Sequence, residues 1–292
     1  GLWNEPNNWS EGVVPASGDM VVIDAKATIN SNLTASSITI SRGGASLTVS
    51  GCASLTATEI VNNNADALII NDGAQLIVNN EVAATLEIGI INPTSWSESN
   101  KEGWQFISSP FTNANISDFT GLDTYDLYRY DGSQNLEWIN QKVDANNFEE
   151  TFQQGVAYLA SYQNEDYAYL KGNVNTGKSF TKTLSYDETK DLANFHLIGN
   201  PFPFDMDWKE VKPYGLATGY AVVNNEGGYD YFSSGTIKVG EGFFVKALNA
   251  TATFMYGNTR GDKGMEETNS ISIVATGKAG SDNVVINMSG EG

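Results

Sequence analysis

The 292-residue chain carries 35 acidic and only 16 basic residues, and its formal charge of −19 repels phosphate backbones and anionic membrane surfaces, which argues against nucleic acid as a partner. The single cysteine cannot form an internal disulfide, and one cysteine with one histidine supplies too few ligands for a soft-metal site. The sequence contains no run of 18 apolar residues, so no membrane insertion is predicted. Abundant Asn, Ser, Thr and Gly beside 13 Tyr, 13 Phe and 6 Trp, without a long amphipathic helical period, predict an all-β fold.

The first twenty residues predict an irregular cap. Trp3 and Trp9 lie on a segment interrupted by prolines and followed by a Gly18-Asp19 turn. Such a segment suits a lid over the open end of a repetitive β-structure, whose exposed edges otherwise invite aggregation. Exposed tryptophan pairs also stack on sugar rings, and this second interpretation stays open.

From residue 21 to about residue 91 the apolar residues come in triplets, separated by Gly-Ala and Asn-Asn corners. Three pairs of these residues are 21 positions apart: Leu47 and Leu68, Leu55 and Leu76, and Ile40 and Val61. Three short strands per turn predict a short right-handed parallel β-solenoid of three or four coils, with the paired leucines stacked inward. A meander of small antiparallel hairpins is the rival interpretation.

The second part of the chain contains one pattern twice, about 90 residues apart. GWQFISSPF at 103–111 returns as NFHLIGNPF at 194–202, and QGVAYL at 154–159 returns as EGFFV at 241–245. A unit of this length, with alternating aromatic and turn residues, predicts duplicated β-structure. Because each copy is too small to bury its own apolar face, the two are expected to pair into a single β-sandwich.

Each copy also contains a predicted hairpin. Two strands flank the DGSQN turn at 131–135, and two more flank residues 224–228. The alignment of the copies pairs Trp104 with Phe195, which are therefore predicted to occupy equivalent buried positions.

A charged, glycine-bearing linker at 261–269 precedes two further predicted strands, at 271–274 and 284–288. The chain begins without Met and ends within a pattern, which predicts a piece of a longer secreted polypeptide. The predicted domains are a β-solenoid region with a Trp-rich N-terminal cap (1–95), a duplicated β-sandwich (96–261), and a linker with the start of a further hairpin or truncated domain (262–292).

No catalytic residue, metal ligand or cofactor is predicted. His196 is the only imidazole, and the first copy has Gln105 in its place, so an exposed strand face is expected. Cys52 has the surroundings of a small buried residue. Asp205 and Asp207 offer oxygen ligands to calcium, but no calcium-loop spacing accompanies them, and bound calcium stays open.

Surface aromatics are the candidates if the protein acts by binding. Those that the repeat does not explain are Trp138, Tyr162, Trp208 and Tyr214. The competing interpretation for each is ordinary packing in the sandwich, because large aromatic side chains bury the most apolar area.

Several motifs resemble large secreted or cell-surface proteins of Bacteroidetes. The resemblance rests on the tryptophan-rich start at 3–23, the repeats of the GASLTV type, GWQFISSP at 103–110 and LIGNPFP at 197–203. Those proteins have repetitive β-rich regions and a C-terminal sorting domain of the type IX secretion route, and they are mostly described only as adhesin-like or uncharacterised. The resemblance implies an extracellular or outer-surface location and supplies no catalytic residues.

The sequence therefore predicts a non-catalytic extracellular or cell-surface protein with a structural or adhesive role, whose partners are host or microbial surface glycans or proteins. The alternative is a carbohydrate-binding module or an accessory region of a glycan-degrading enzyme. Aromatic side chains exposed in one groove would favour the alternative, and aromatics enclosed in a core would favour the scaffold.

Overall fold

The computed structural model describes residues 1–41, 43–91, 103–119, 125–162, 166–224 and 227–257, and the backbone of 269–277 and 280–288. The chain divides into two compact units, residues 1–257 and residues 258–292. The fold is all-β, as predicted, with six short helical segments among the described residues. Among the described residues, no helix has the length and apolar character needed to cross a membrane.

The strands of the N-terminal part are β1 (Met20–Ile23), β2 (Lys26–Ile29), β3 (Leu33–Ile40), β4 (Ser46–Val49), β5 (Ser54–Val61), β6 (Leu68–Ile70), β7 (Gln75–Val78) and β8 (Ala83–Gly89). They are followed by β9 (Gln105–Ser108), β10 (Tyr125–Tyr130), β11 (Trp138–Asn140), β12 (Ala157–Tyr162), β13 (Tyr167–Asn173) and β14 (Phe180–Thr183). The remaining strands are β15 (Phe195–Gly199), β16 (Met206–Asp207), β17 (Val211–Tyr214), β18 (Tyr220–Val223), β19 (Tyr229–Phe232), β20 (Thr236–Ile237), β21 (Gly242–Lys246), β22 (Thr253–Tyr256), β23 (Asn269–Gly277) and β24 (Gly280–Met288). The helical segments are α1 (Ile116–Phe119) and the 3₁₀ turns Pro6–Asn8, Ala65–Ala67, Asp144–Asn146, Asp191–Asn194 and Trp208–Glu210.

Strands β1 to β8 alternate between two parallel sheets. The odd strands form one sheet in the order β1-β3-β5-β7, and the even strands form the other, where β13 adds antiparallel to β8. Leu47 pairs with Leu68 and Leu55 with Leu76, and all four side chains are fully buried. These two predicted stacks are confirmed, and the antiparallel meander is wrong for these strands.

The third 21-residue spacing, from Ile40 to Val61, does not correspond to a strand pairing. Val61 pairs with Thr39 and not with Ile40, and Ile38 pairs with Ile60. Since a slip of one residue would turn the buried side chains of Ile38 and Ile60 outward, burial fixes the register and the connecting corners absorb the extra residue.

Cys52 lies at an exposed corner, so its predicted burial is wrong. Its backbone has a φ of 65°, and Gly73, which is 21 residues further on, has a φ of 76°. The N–H of Cys52 donates a hydrogen bond to the carbonyl of Gly73 at 3.1 Å. The two residues make the same left-handed bend in successive turns of the chain, which places the Cys52 side chain outside the core.

The N-terminal segment covers the edge of the even-strand sheet. Leu2 forms a parallel bridge with Thr28 of β2, and the N–H of Trp3 donates to the Thr28 carbonyl at 2.8 Å. Trp3 is 2% exposed and meets Trp9 edge to face, with 4.8 Å between ring centroids. Because Trp3 is enclosed, it contributes to packing and is not available to stack on a sugar ring.

The two predicted copies form sheets with the same strand order. The first sheet runs β11-β10-β12-β9, and the second runs β19-β18-β21-β15. Ala157 pairs with Ser108 in the first sheet, and Gly242 pairs with Gly199 in the second. Ala157 and Gly242 are therefore equivalent, and the hairpins β10–β11 and β18–β19 lie where the sequence predicted them.

The same pairing corrects the alignment of the second motif. Because Ala157 corresponds to Gly242, Gly155 corresponds to Gly240 and not, as predicted, to Gly242. Gly155 and Gly240 have φ values of 66° and 80°, which are accessible to glycine at little cost. The short sequence match had aligned two glycines that differ by two positions in the fold.

Equivalent contacts join the two sheets in both directions. The N–H of Ser108 donates to the carbonyl of Gly240 at 2.8 Å, and the N–H of Gly199 donates to the carbonyl of Gly155 at 3.2 Å. Isolated antiparallel bridges accompany them: Ile107 with Glu241, and Val156 with Ile198. The sheets are therefore related by an approximate internal two-fold relation at their junction.

Trp104 and Phe195 are both half-buried, so the predicted equivalence of environment holds but their full burial is wrong. One face of the first sheet, including Ile107 and Tyr158, shares an apolar core with the N-terminal sheets. A separate cluster lies at the junction and contains Phe106, Ala157, Leu197, Ala221 and Phe244.

In the second unit, β23 and β24 pair as an antiparallel hairpin that begins with Asn269 opposite Met288. The two predicted strands are confirmed, and the turn between them is shorter than predicted because both strands extend to Gly277 and Gly280. The predicted domain boundaries, at 95–96 and 261–262, lie outside the described residues.

Candidate ligand-binding pocket

Two equivalent hairpins carry the aromatic side chains of the candidate pocket. Tyr130 of β10 lies opposite Trp138 of β11, and Val223 of β18 lies opposite Tyr229 of β19. Strand β10 pairs with β12 two residues before Tyr130, and β18 pairs with β21 two residues before Val223. These two pairings lie at equivalent positions of the two sheets, so Tyr130 and Val223 are equivalent. Trp138 and Tyr229 therefore occupy the same position in the two copies.

Local hydrogen bonds hold the turns of both hairpins. The carboxylate of Asp131 accepts from the N–H of Ser133 at 3.0 Å and from its hydroxyl at 2.6 Å. Burial raises the pKa of Asp131, but these hydrogen bonds outweigh it and bring the pKa below its usual value. In the other hairpin, the side-chain carbonyl of Asn224 accepts from the N–H of Gly228 at 2.9 Å. Short polar side chains that bond nearby backbone are typical of such turns.

Phe106 packs against the aromatic rings of both copies. Its ring is nearly parallel to that of Trp138, at 6.3 Å and 26°, and to that of Tyr229, at 6.4 Å and 29°. Phe244 meets Phe106 edge to face at 5.3 Å. Phe106 and Phe244 are buried, whereas Trp138 is half-buried and Tyr229 is 42% exposed. The aromatic cluster therefore has a buried base and two accessible flanks.

Trp138, Tyr229 and Phe244 line an open cavity of about 230 Å³. Tyr231, which is 77% exposed, and Leu192, which is 49% exposed, also contribute to its wall. The other lining residues are Tyr130, Glu137, Phe195 and Ala221. Each copy thus supplies side chains to one shared cavity at the junction of the two sheets.

The cavity wall carries negative charge. Glu137 is the one acidic side chain among the lining residues, and no Lys or Arg lines the described cavity. Burial and, to a smaller extent, the nearby carboxylate of Glu137 raise the pKa of Tyr130 to about 12. Burial also raises the pKa of Tyr229. Both phenols are therefore neutral hydrogen-bonding groups at neutral pH.

The four aromatic residues predicted as ligand-binding candidates do not lie together. Trp138 alone of the four lines the cavity. Tyr162 is fully buried, and Trp208 is 7% exposed with its ring 4.6 Å from that of Tyr220. Tyr214 is 63% exposed on β17, away from the cavity lining. Tyr162 and Trp208 are enclosed and unavailable to a ligand, as the packing interpretation expected.

Sequence reasoning missed the partners of Trp138 in the cavity, which are Tyr130, Tyr229 and Tyr231. The sequence signal was the composition of β19, where three of four residues are aromatic, and the structure shows that all four are exposed. An exposed strand of this composition is unusual unless its aromatic side chains serve a surface function.

The residues weighed for catalysis and calcium binding have other roles. Nε2 of His196 lies 2.9 Å from the carbonyl oxygen of Ser185, and burial lowers its pKa. Asp205 accepts hydrogen bonds from the side chain of Gln75 and from the N–H of Val239. Within the described ranges, no group of three or more His, Cys, Asp or Glu side chains is arranged to hold a metal ion.

The fold and the cavity define an all-β protein with an aromatic-lined pocket between two similar sheets. A domain of unknown function, DUF8693, matches residues 1–213 of the 292, and the chain belongs to this family. No curated protein and no solved structure matches the chain. The matched region ends within β17, so Tyr229, Tyr231 and Phe244 of the cavity lie beyond it.

Proposed function

We propose that this chain is a non-catalytic, adhesive part of an extracellular or cell-surface protein, and that it binds a glycan in the aromatic cavity. The observation that carries the proposal is the presence of Trp138 and Tyr229, at the same position of the two copies, in the wall of one open cavity. Pockets for small ligands are mostly apolar and aromatic with a few polar groups, and this cavity has that composition.

The size and composition of the cavity favour a sugar ring. Its volume of about 230 Å³ is smaller than that of a pocket for a drug-sized ligand, and it suits one ring of a longer chain that continues into solvent. The apolar C–H face of a sugar packs on an aromatic ring, while its hydroxyls need polar partners. Tyr229 and Glu137 supply such partners beside the rings. The hydroxyl of Tyr130 donates to the carbonyl of Leu192 at 2.9 Å and can still accept a hydrogen bond from a ligand.

We propose that residues 20–89 are the short right-handed parallel β-solenoid, since their strands alternate between two parallel sheets and crossovers of this kind are right-handed in nearly all proteins. We also propose that the two four-stranded sheets form a β-sandwich that arose by duplication. Their identical strand order and reciprocal hydrogen bonds support it.

A glycan array probed with the purified chain tests the function. We expect binding to a defined set of glycans, and we expect Trp138→Ala to weaken it by roughly 30-fold, as for a central aromatic of a binding site. Tyr214→Ala is the matched control, because Tyr214 is an exposed aromatic outside the cavity. Binding of no glycan, or binding that survives Trp138→Ala in a folded variant, would contradict the proposal.

A further inference from the structure

Glu137 places a carboxylate at the aromatic cavity. It directly precedes Trp138, it is half-buried, and it is one of the residues that line the cavity. Its charge lies close enough to Tyr130 to help raise the pKa of that phenol. Within the described part of the chain, its carboxylate accepts no hydrogen bond and forms no ion pair. The carboxylate is therefore free to meet a donor on a ligand.

Two lysines near the cavity wall are already occupied. Lys246 forms an ion pair with Asp191 at 2.7 Å, and its ammonium lies 4.8 Å from the centre of the Phe195 ring. The ammonium of Lys190 donates to the carbonyl of Ser133 at 2.9 Å. Neither lysine lines the cavity, so an anionic ligand has no cationic partner there among the described residues.

We infer that the cavity selects a sugar that carries a protonated amine, such as glucosamine, and discriminates against acidic sugars, with Glu137 as the residue that determines this specificity. The inference rests on the proposed glycan binding. An ammonium group is attracted to the faces of Trp and Tyr rings, and a carboxylate beside them forms a charge-assisted hydrogen bond with it. A uronic acid would instead bring its carboxylate against Glu137 in a protein of net charge −19.

Calorimetric titration of the 292-residue chain with three trisaccharides tests the inference. The probes are the trimers of glucosamine, N-acetylglucosamine and galacturonic acid, at a pH where the amine is protonated. We expect the glucosamine trimer to bind most tightly and the galacturonic acid trimer least. Glu137→Gln should reduce the preference for glucosamine over N-acetylglucosamine by roughly tenfold. Added salt should weaken the same preference.

Glu59→Gln is the control, since it removes the same charge from an exposed position on β5. We expect it to leave the preference unchanged. If Trp138→Ala abolishes binding but the three trimers bind equally, or if Glu137→Gln keeps the preference, the inference on charge is overturned and the glycan site stands. Tightest binding of the galacturonic acid trimer also overturns it. If the wild-type chain binds no glycan on the array or in solution, the proposed function itself fails.

Discussion

Ala157 and Gly242 stand opposite each other where the two four-stranded sheets meet. A Cβ on Gly242 would lie 2.2 Å from the Cβ of Ala157 and 3.1 Å from the Cβ of Phe106. The neighbouring equivalent pair is as close, because a Cβ on Gly199 would lie 2.5 Å from that of Ser108. Small residues at equivalent positions therefore let the two copies approach and bring their aromatic side chains into one cluster.

The first prediction concerns this approach. We expect Gly242→Ala to lower the free energy of unfolding by about 1–3 kcal/mol, the usual cost of overpacking a well-packed site. Urea denaturation with an unchanged m-value measures it. Gly18→Ala is the control, because no heavy atom lies within 4 Å of the added Cβ. A loss for Gly242→Ala no larger than that of the control would contradict the close contact.

A second prediction concerns the corner residues Cys52 and Gly73. Gly73→Ala should cost about 1–2 kcal/mol, because a side chain is disfavoured at its φ of 76°. Cys52→Gly should stabilise the protein by up to about 1 kcal/mol, since relief of the same strain at φ 65° is partly offset by the greater freedom of glycine in the unfolded chain.

Thermal or urea unfolding of the two single variants measures both effects. Opposite signs at two positions with similar backbone geometry are the diagnostic result. Destabilisation by Cys52→Gly would mean that the cysteine side chain contributes packing that its exposed position does not suggest.

The third prediction uses His196, the only histidine of the chain. Burial lowers its pKa below the usual 6.5, although the hydrogen bond to Ser185 opposes the shift. Because the folded state favours the neutral ring, the associated stability is present above pH 6.5 and is lost as pH falls from there through the folded pKa. Titration of the single imidazole C–H resonance by NMR should give a pKa below 6.5.

His196→Gln is the matched variant, because Gln105 occupies the equivalent position of the first copy. We expect it to remove part of the stability loss between pH 6.5 and about 5. A measured pKa at or above 6.5, or an unchanged stability profile in the variant, would show that the imidazole is better solvated than its surroundings imply.

The sequence predicted the fold well where the spacing of apolar residues decides it. Leucines 21 residues apart lie in adjacent parallel strands, because each strand buries alternate side chains and a slip would expose them. The 21-residue spacing of Ile40 and Val61 does not correspond to a strand pairing, because a corner holds one more residue. The predicted match of Gly155 with Gly242 failed, because these two similar glycines are not equivalent. A short sequence motif does not predict how many residues a corner contains or which backbone conformation a glycine adopts.

The sequence predicted one residue of the candidate pocket, Trp138, and missed its partners. Tyr229 is 91 residues further along the chain, which is the step of the repeat, but equivalence in the repeat does not show that two residues face the same cavity. Tyr162 and Trp208 are large aromatic residues like Trp138, but both are buried, and the sequence does not predict this difference.

The amino-acid sequence by itself determined the all-β class, the parallel stacking of the short apolar triplets and the presence of one motif in two copies, because each of these depends on local periodicity and spacing. Only the tertiary structure decided that the two copies meet at Ala157 and Gly242 and that Trp138 and Tyr229 line a common cavity. The physical reason is that a pocket between sheets depends on long-range contacts and on which aromatic side chains the core leaves exposed, and both are settled only when the whole chain packs.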